Sequence, residues 1–295
     1  MNTATTLLYG GNPGPSAAAA QAWDQAADGW NAHSTLIGAW LKDATTAMLD
    51  AAAIGPGQRV LDIAAGAGEQ TLAIARRIGA HGRVLASDIS PRILALAGDN
   101  ARAAGLSQVT LHLADAQKLG LDGAGFDAAV SRLGLMFCPE PLQALQQARA
   151  ALKPGGRFAA LVFGMPERNP CLVTLMASAR AHAGLPALVP GTAPAAGSLM
   201  SLGPPGLLEQ LLRQAGFGEI EVRPLSAPFA APSSAHYLDF VRSAAPPITQ
   251  MLARLPVDQQ RSAWRDMDAQ LQRHVGASGF CGPNELLLCS ASSAP

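Results

Sequence analysis

The sequence predicts an α/β protein built on a doubly wound, mostly parallel sheet of seven strands with a helical cap. Three observations carry that expectation. Between residues 57 and 164, short apolar runs alternate with amphipathic stretches, the rhythm of βαβ units. Gly/Pro turns at 55–57 and 153–156 and Gly105 punctuate the alternation where one period gives way to the other. The composition, 49% apolar and 14% charged over 295 residues, suits a large packed core and excludes a disordered chain.

The elements follow in order. Residues 1–15 hold three glycines, two prolines and no charged side chain, and are expected to form a flexible leader. From Ser16 to Ile54 the pattern is helical, with Trp23, Trp30 and Trp40 spread through it, until Gly55-Pro56-Gly57 stops it. Arg59–Ala64 reads as a buried strand and Glu69–Ile78 as a helix. Arg83–Ser87 reads as a second strand, and Ser90-Pro91 supplies the cap and first position of the next helix. Leu94, Ala97, Ala101 and Ala104 line one face of that helix and Gly105 ends it. Val109–Leu113 and Phe126–Ser131 are the third and fourth strands, a helix starts near Pro141, and Arg157–Phe163 is the fifth strand.

Beyond Gly164 the rhythm breaks. Residues 184–206 carry five prolines and five glycines in 23 positions, which excludes regular structure and suggests a lid. Leu207–Ala215 resumes as a helix, and Glu219–Pro224 and Glu285–Ser290 supply two further strands. Residues 233–275 read as amphipathic helices broken at Pro246-Pro247 and Pro256. The expected organisation is an N-terminal helical cap or lid at 1–56, a ligand-binding core at 57–164 and a lid insertion at 165–206. Residues 207–295 complete the sheet, interrupted by a helical insertion at 228–283.

Charge and cysteine content narrow the function. Basic and acidic residues both total 21, so the chain lacks the basic excess of a nucleic acid or anionic-membrane binder. No apolar run approaches the 18 residues of a membrane span. The first basic residue is Lys42, which argues against a signal peptide. Four cysteines at 138, 171, 281 and 289 form no CxxC or Cys/His cluster, so no metal site is expected. A cytoplasmic protein acting on a small molecule is the expectation, and a homodimer stays open.

The chemistry concentrates in Val60-Leu61-Asp62-Ile63-Ala64-Ala65-Gly66-Ala67-Gly68-Glu69-Gln70-Thr71. A strand runs into a glycine turn and then a helix, at the sheet edge where doubly wound folds bind ligands. A dinucleotide fingerprint needs a third glycine where Thr71 stands. Asp62 at the strand end would repel a pyrophosphate but accept a hydrogen bond from an ammonium. The ligand is therefore expected to be an amino-acid conjugate of a nucleoside. Asp88, 20 residues after Gly68, is placed to accept from two ribose hydroxyls, and Asp115 from an adenine amino group.

With these residues in place, the chain resembles class I S-adenosylmethionine-dependent methyltransferases, most closely the UbiE-like branch of ubiquinone and menaquinone biosynthesis. The resemblance covers about residues 57–164 and implies a Rossmann-like core holding S-adenosylmethionine. It implies that Asp62, Ala64, Ala65, Gly66 and Gly68 meet the methionine end, Asp88 and Ile89 the ribose, and Asp115 and Ala116 the adenine. Ser131 and Arg132 follow the fourth strand, where the family lines the methionine moiety and the substrate. Ala64 departs from the family's D-x-G-x-G-x-G, standing at its first glycine.

Trp30, Met136 and Phe137 are candidates for an apolar substrate pocket, and His33, one turn from Trp30, is the candidate base. The resemblance implies methyl transfer to a small apolar, aromatic or enolic metabolite, at oxygen or carbon. Two alternatives stand beside it: an S-adenosylmethionine-binding protein without methyl transfer (a cyclase or regulatory subunit), and an NAD(P)-dependent oxidoreductase.

Overall fold

The structure, a computed structural model, describes residues 15–188 and 192–293. The leader expected over residues 1–15 lies outside them, apart from Pro15. Two helices, α1 (Pro15–Ala32) and α2 (Ser34–Ala51), precede the sheet. Then come β1 (Arg59–Ile63), α3 (Glu69–Ile78), β2 (Arg83–Asp88), α4 (Pro91–Ala103), β3 (Val109–Leu113), β4 (Phe126–Arg132), α5 (Pro141–Ala151) and β5 (Leu152–Phe163). The second half holds α6 (Pro170–His182), α7 (Leu207–Gln214), β6 (Phe217–Ser226), β7 (Phe229–Ala231), α8 (Ser234–Ala244), α9 (Pro246–Leu252) and α10 (Val257–Leu271). It ends with β8 (Val275–Gly276), β9 (Gly279–Gly282) and β10 (Glu285–Ser293).

The main sheet has seven strands in the order β3-β2-β1-β4-β5-β10-β6. β3, β2, β1, β4 and β5 run parallel, and β10 lies antiparallel between β5 and β6. The order reverses beside β1: the chain walks outward to β3 and then returns to β4 on the other side. That switch opens a crevice at the carboxyl ends of β1 and β4. β1 (RVLDI) and β4 (FDAAVSR) are apolar runs buried almost throughout, because helices cover both faces. Ser90 caps α4 by accepting from the Ile93 N–H, with Pro91 at the first helical position.

Three features differ from the sequence reading. β5 begins at Leu152 because the Lys153-Pro154-Gly155-Gly156 turn, with Gly155 at φ 72°, continues as extended chain through a register shift against β4. A second sheet of three strands, β7-β9-β8, lies within the region expected to be helical. Its strands of two to four residues are too short to show a period, but Phe229 and Phe280 anchor them in the core.

The third difference concerns residues 1–56, expected as one cap. α2 is core: Ile37, Leu41 and Met48 are fully buried, and the helix packs on α3, β5 and β10. Only α1 lies outside the sheet layers, between α4 and α8. Leu41→Ala should therefore lower unfolding stability by about 2–5 kcal/mol in urea titration. A loss under about 0.5 kcal/mol, usual for a surface position, would return α2 to the lid.

Candidate active site

The turn after β1 is built from left-handed backbone. Gly66 (φ 58°) and Gly68 (φ 89°) take it without penalty, but Ala64 (φ 57°) carries a side chain there. Leu133, just past β4, repeats the conformation at φ 57°, which is costly for a branched residue. Two strained residues thus follow the ends of neighbouring strands where the sheet switches direction. Gly134 completes the arrangement, since a Cβ on it would stand 2.3 Å from the Ala64 Cβ. Gly68 lets α3 approach α4, where a Cβ would meet Ala97 at 2.9 Å.

The three acids at the strand ends sit in different surroundings. Asp88 closes β2, and its Oδ2 accepts from the Gly66 N–H at 2.9 Å while Oδ1 accepts from the Ser90 N–H at 3.0 Å. It borders an open cleft of about 850 Å³. Burial raises its pKa, and the backbone N–H bonds act against that rise. Asp115, half-buried at the same cleft, accepts from Ser16 Oγ at 2.6 Å and from the Gln117 N–H at 2.9 Å. Burial acts to raise its pKa too, but these bonds outweigh it and hold the carboxyl below the usual range.

Asp62 corrects the expectation that it faces an ammonium. It is fully buried and does not border the cleft. Gln70 Nε2 and, at 2.6 Å, Thr71 Oγ1 donate to its two oxygens. Desolvation pushes its pKa up to about 7, against the pull of those bonds and of Arg132. Asp62 thus clamps the start of α3 to the end of β1, and Thr71, read earlier only as a missing glycine, is half of the clamp.

Of the other expected residues, Ala64, Gly66, Ile89, Ala116 and Arg132 border the cleft. Ala65, Gly68 and Ser131 do not; Ala65 packs on Ala86 and Leu94, and Ser131 Oγ is buried with no partner. Arg132 pairs with Glu69 and donates to Thr45 Oγ1 at 2.8 Å, so it ties α2 and α3 to the strand end.

A second cavity of about 650 Å³ adjoins the cleft and shares Trp23, Trp30, Leu133 and Phe137 with it. Met136 borders this cavity alone. The chain has four Trp, two Tyr and eight Phe, and eight of these fourteen line the cavity, so an otherwise aromatic-poor protein gathers its rings here. Phe163, Phe229, Tyr237 and Phe240 were missed in the sequence because no spacing links them to the core motifs. Their only signal is scarcity.

His33 is corrected as the candidate base. It borders neither cavity, sits in the break between α1 and α2, and holds Nδ1 2.8 Å from the Gly29 carbonyl with its ring against Phe240. What α1 does contribute is a set of latches over the cleft. Ser16 reaches Asp115, Asp24 accepts from Ser90 Oγ and the Arg92 N–H, Asp28 pairs with Arg92, and Asn31 accepts from Asn100. Among the described residues no cluster of three His, Cys, Asp or Glu side chains is arranged to hold a metal, and no helix is long and apolar enough to cross a membrane.

The Asp62 clamp has a pH signature. The folded chain keeps this proton up to about pH 7, whereas an unfolded carboxyl loses it near 3.8, so its contribution to stability falls as pH rises between those values. Asp62→Asn stays neutral throughout. Its unfolding free energy relative to the unaltered chain should improve from pH 4 to pH 7, by about 1–3 kcal/mol, in denaturant titrations. A difference independent of pH would mean that Asp62 is ionised across the range.

Comparison with known proteins bears on the same region. The methyltransferase domain family matches residues 60–156. The ubiquinone/menaquinone biosynthesis C-methyltransferase UbiE of Idiomarina loihiensis is 36% identical over 119 residues, 40% of this chain and 47% of that protein. The demethylmenaquinone methyltransferase of Bacillus cytotoxicus is 31% identical over 128 residues, 43% and 52% of the two chains. The chain thus spans about half the length of the curated relatives it matches. A methyltransferase structure from Bacillus halodurans superposes with a TM-score of 0.57 at 18% identity, covering 85% of this chain and 99% of that one. Phosphoethanolamine N-methyltransferase 2 of Haemonchus contortus, solved with S-adenosyl-L-methionine, gives 0.55 at 17% identity over 90% and 57%. Residues 60–156 are thus similar to the methyltransferase domain family and to the UbiE-type relatives, and the chain shares the fold of the solved methyltransferases.

Proposed function

We propose that the chain transfers a methyl group from S-adenosylmethionine to a small, largely apolar aromatic or enolic metabolite, at carbon or oxygen. The observation that carries this reading is the joining of two unlike cavities through Trp23, Trp30, Leu133 and Phe137. Both are mainly apolar, but the first alone adds two carboxylates, Asp88 and Asp115, and close-approach backbone at Gly66 and Gly134. The relatives named for ubiquinone and menaquinone biosynthesis support a ring carbon as one acceptor.

The cleft suits the cofactor. Asp88 borders it with carboxylate oxygens that keep lone pairs beyond the backbone bonds they accept, as a ribose diol requires. Gly134 packs so closely on Ala64 that one added methyl would clash, and the two together border the cleft as a small-residue floor. Ala116 borders the cleft beside Asp115 and suits an adenine. When bound, the cofactor supplies an activated methyl group on a sulfonium. The protein's own part is positioning and exclusion of water, for which about 7–11 kcal/mol is available from orientation alone. Trp23 and Trp30 on α1 wall both cavities, and the α1 latches keep that wall closed.

Tyr237 is the one titratable side chain lining the apolar cavity, and burial raises its pKa, so it stays a neutral phenol. The reading therefore assigns no general base. An acceptor that is already electron-rich, such as an enol or phenol ring, fits this absence among the lining residues.

The direct test incubates the protein with methyl-deuterated cofactor and a metabolite extract, then looks by mass spectrometry for a small molecule that gains the labelled methyl. Binding of S-adenosylhomocysteine without any labelled product would favour a cofactor-binding protein that does not transfer methyl. The cofactor site is tested separately. Asp88→Ala, checked for folding by circular dichroism, should weaken S-adenosylhomocysteine binding in calorimetry by about 1.5–3 kcal/mol, tenfold or more in Kd. Unchanged affinity would place the ribose elsewhere.

A further inference from the structure

The apolar cavity contains one side chain out of keeping with its walls. Asn284, the residue before β10, lines the cavity, is 5% exposed, and its Oδ1 is buried with no hydrogen-bond donor. The backbone of this residue is engaged, its carbonyl accepting from the Ala227 N–H at 2.9 Å. The side-chain oxygen is not. Asn169, also buried, shows what a structural asparagine does in this neighbourhood. Its Nδ2 donates to the Met165 and Glu285 carbonyls and its Oδ1 accepts from the Glu285 N–H.

An unpartnered buried amide is unfavourable, and an apolar residue would suit the company of Trp40, Phe229 and Tyr237 better. Of the other polar groups of the wall, Tyr237 presents a neutral phenol and Trp40 an indole N–H. Trp40 Nε1 already donates to the Ala227 carbonyl at 2.8 Å. A local feature that costs stability at the edge of a ligand cavity is the pattern expected of a group kept for its ligand.

We propose that the Asn284 carboxamide is the specificity-determining contact for a hydroxyl substituent, which donates to Oδ1, on the otherwise apolar ring that the cavity accepts. This rests on reading the cavity as the acceptor site. A ring bearing such a hydroxyl satisfies the amide on binding, whereas an unsubstituted ring leaves it unpaired, and the difference selects the substrate. The contact also fixes the rotation of a flat ring between walls that otherwise hold it without preference.

The test uses 4-propylphenol and propylbenzene, which differ by one hydroxyl, titrated by calorimetry into the full chain saturated with S-adenosylhomocysteine. The unaltered protein and Asn284→Leu are compared through the ratio of the two dissociation constants, so that the unequal hydrophobicity of the ligands cancels. The preference for the phenol should fall about tenfold in Asn284→Leu, equivalent to about 1.4 kcal/mol, while propylbenzene binds as well or better. The variant's Tm should be equal or higher, because a lone amide has been removed. If Asn284→Leu loses S-adenosylhomocysteine binding, Asn284→Ala repeats the comparison with less bulk. A ratio unchanged within twofold overturns the role of Asn284 and leaves the acceptor site standing. Failure of both ligands to bind the unaltered protein, with S-adenosylhomocysteine binding intact, overturns the acceptor site and this proposal with it.

Discussion

The site depends on one carboxylate. Asp88 ends β2 and spans two loops at once, holding the Gly66 N–H of the turn after β1 and the Ser90 N–H that opens α4. Without an acceptor there, two backbone donors at the sheet edge would have to find other partners, and the left-handed turn would lose its anchor. Ser90 in turn caps α4 and bonds Asp24 of α1. The chain of contacts therefore runs from the second strand to the glycine turn, to the helix behind it, and to the helix over the cleft. Each link is a polar contact whose loss would loosen the next.

This edge of the sheet is also where the molecule breaks its own rules. Asp62 is a fully buried acid, and Ala64 and Leu133 hold backbone conformations that favour glycine. Elsewhere Glu219 of β6 (φ 47°) and Ala53 before β1 (φ 50°) share that conformation, α4 is capped, and among the described residues the core holds no buried charge beyond the Arg132–Glu69 pair and the strand-end acids. What sets this edge apart is that Asp62, Ala64 and Leu133 lie together there, with Leu133 lining both cavities, as expected where local strain serves a ligand site.

What could be seen in the sequence follows from how local each feature is. The βαβ units from Arg59 to Phe163 were legible because strand and helix differ in period, and Gly55-Pro56-Gly57 and Gly105 separate them. Asp88, Asp115 and the glycine turn were legible because each lies at the end of such a strand. Asp62 was assigned the wrong neighbour: its register gives its position, but not that Gln70 and Thr71, the second and third residues of the next helix, would claim both oxygens. α2 was taken for part of a cap because its helical pattern does not say which layer receives its apolar face. β7 to β9 were too short to show a period. The aromatic wall was invisible for a different reason, since its members meet only in three dimensions.

The two cavities differ in how far apart their residues lie along the chain. Most of the cleft at the strand ends comes from residues 63–139, within consecutive βα units, so its contacts close loops of a few tens of residues. The aromatic cavity needs Trp23 and Trp30 to meet Phe229 and Phe240, some two hundred residues later. Closing loops of that length carries a larger entropic cost, and such contacts form late in folding. During synthesis α1 is made long before α8, one of its two main partners, exists. The fold therefore implies an order of maturation in which the cleft takes shape on a chain still lacking its second chamber.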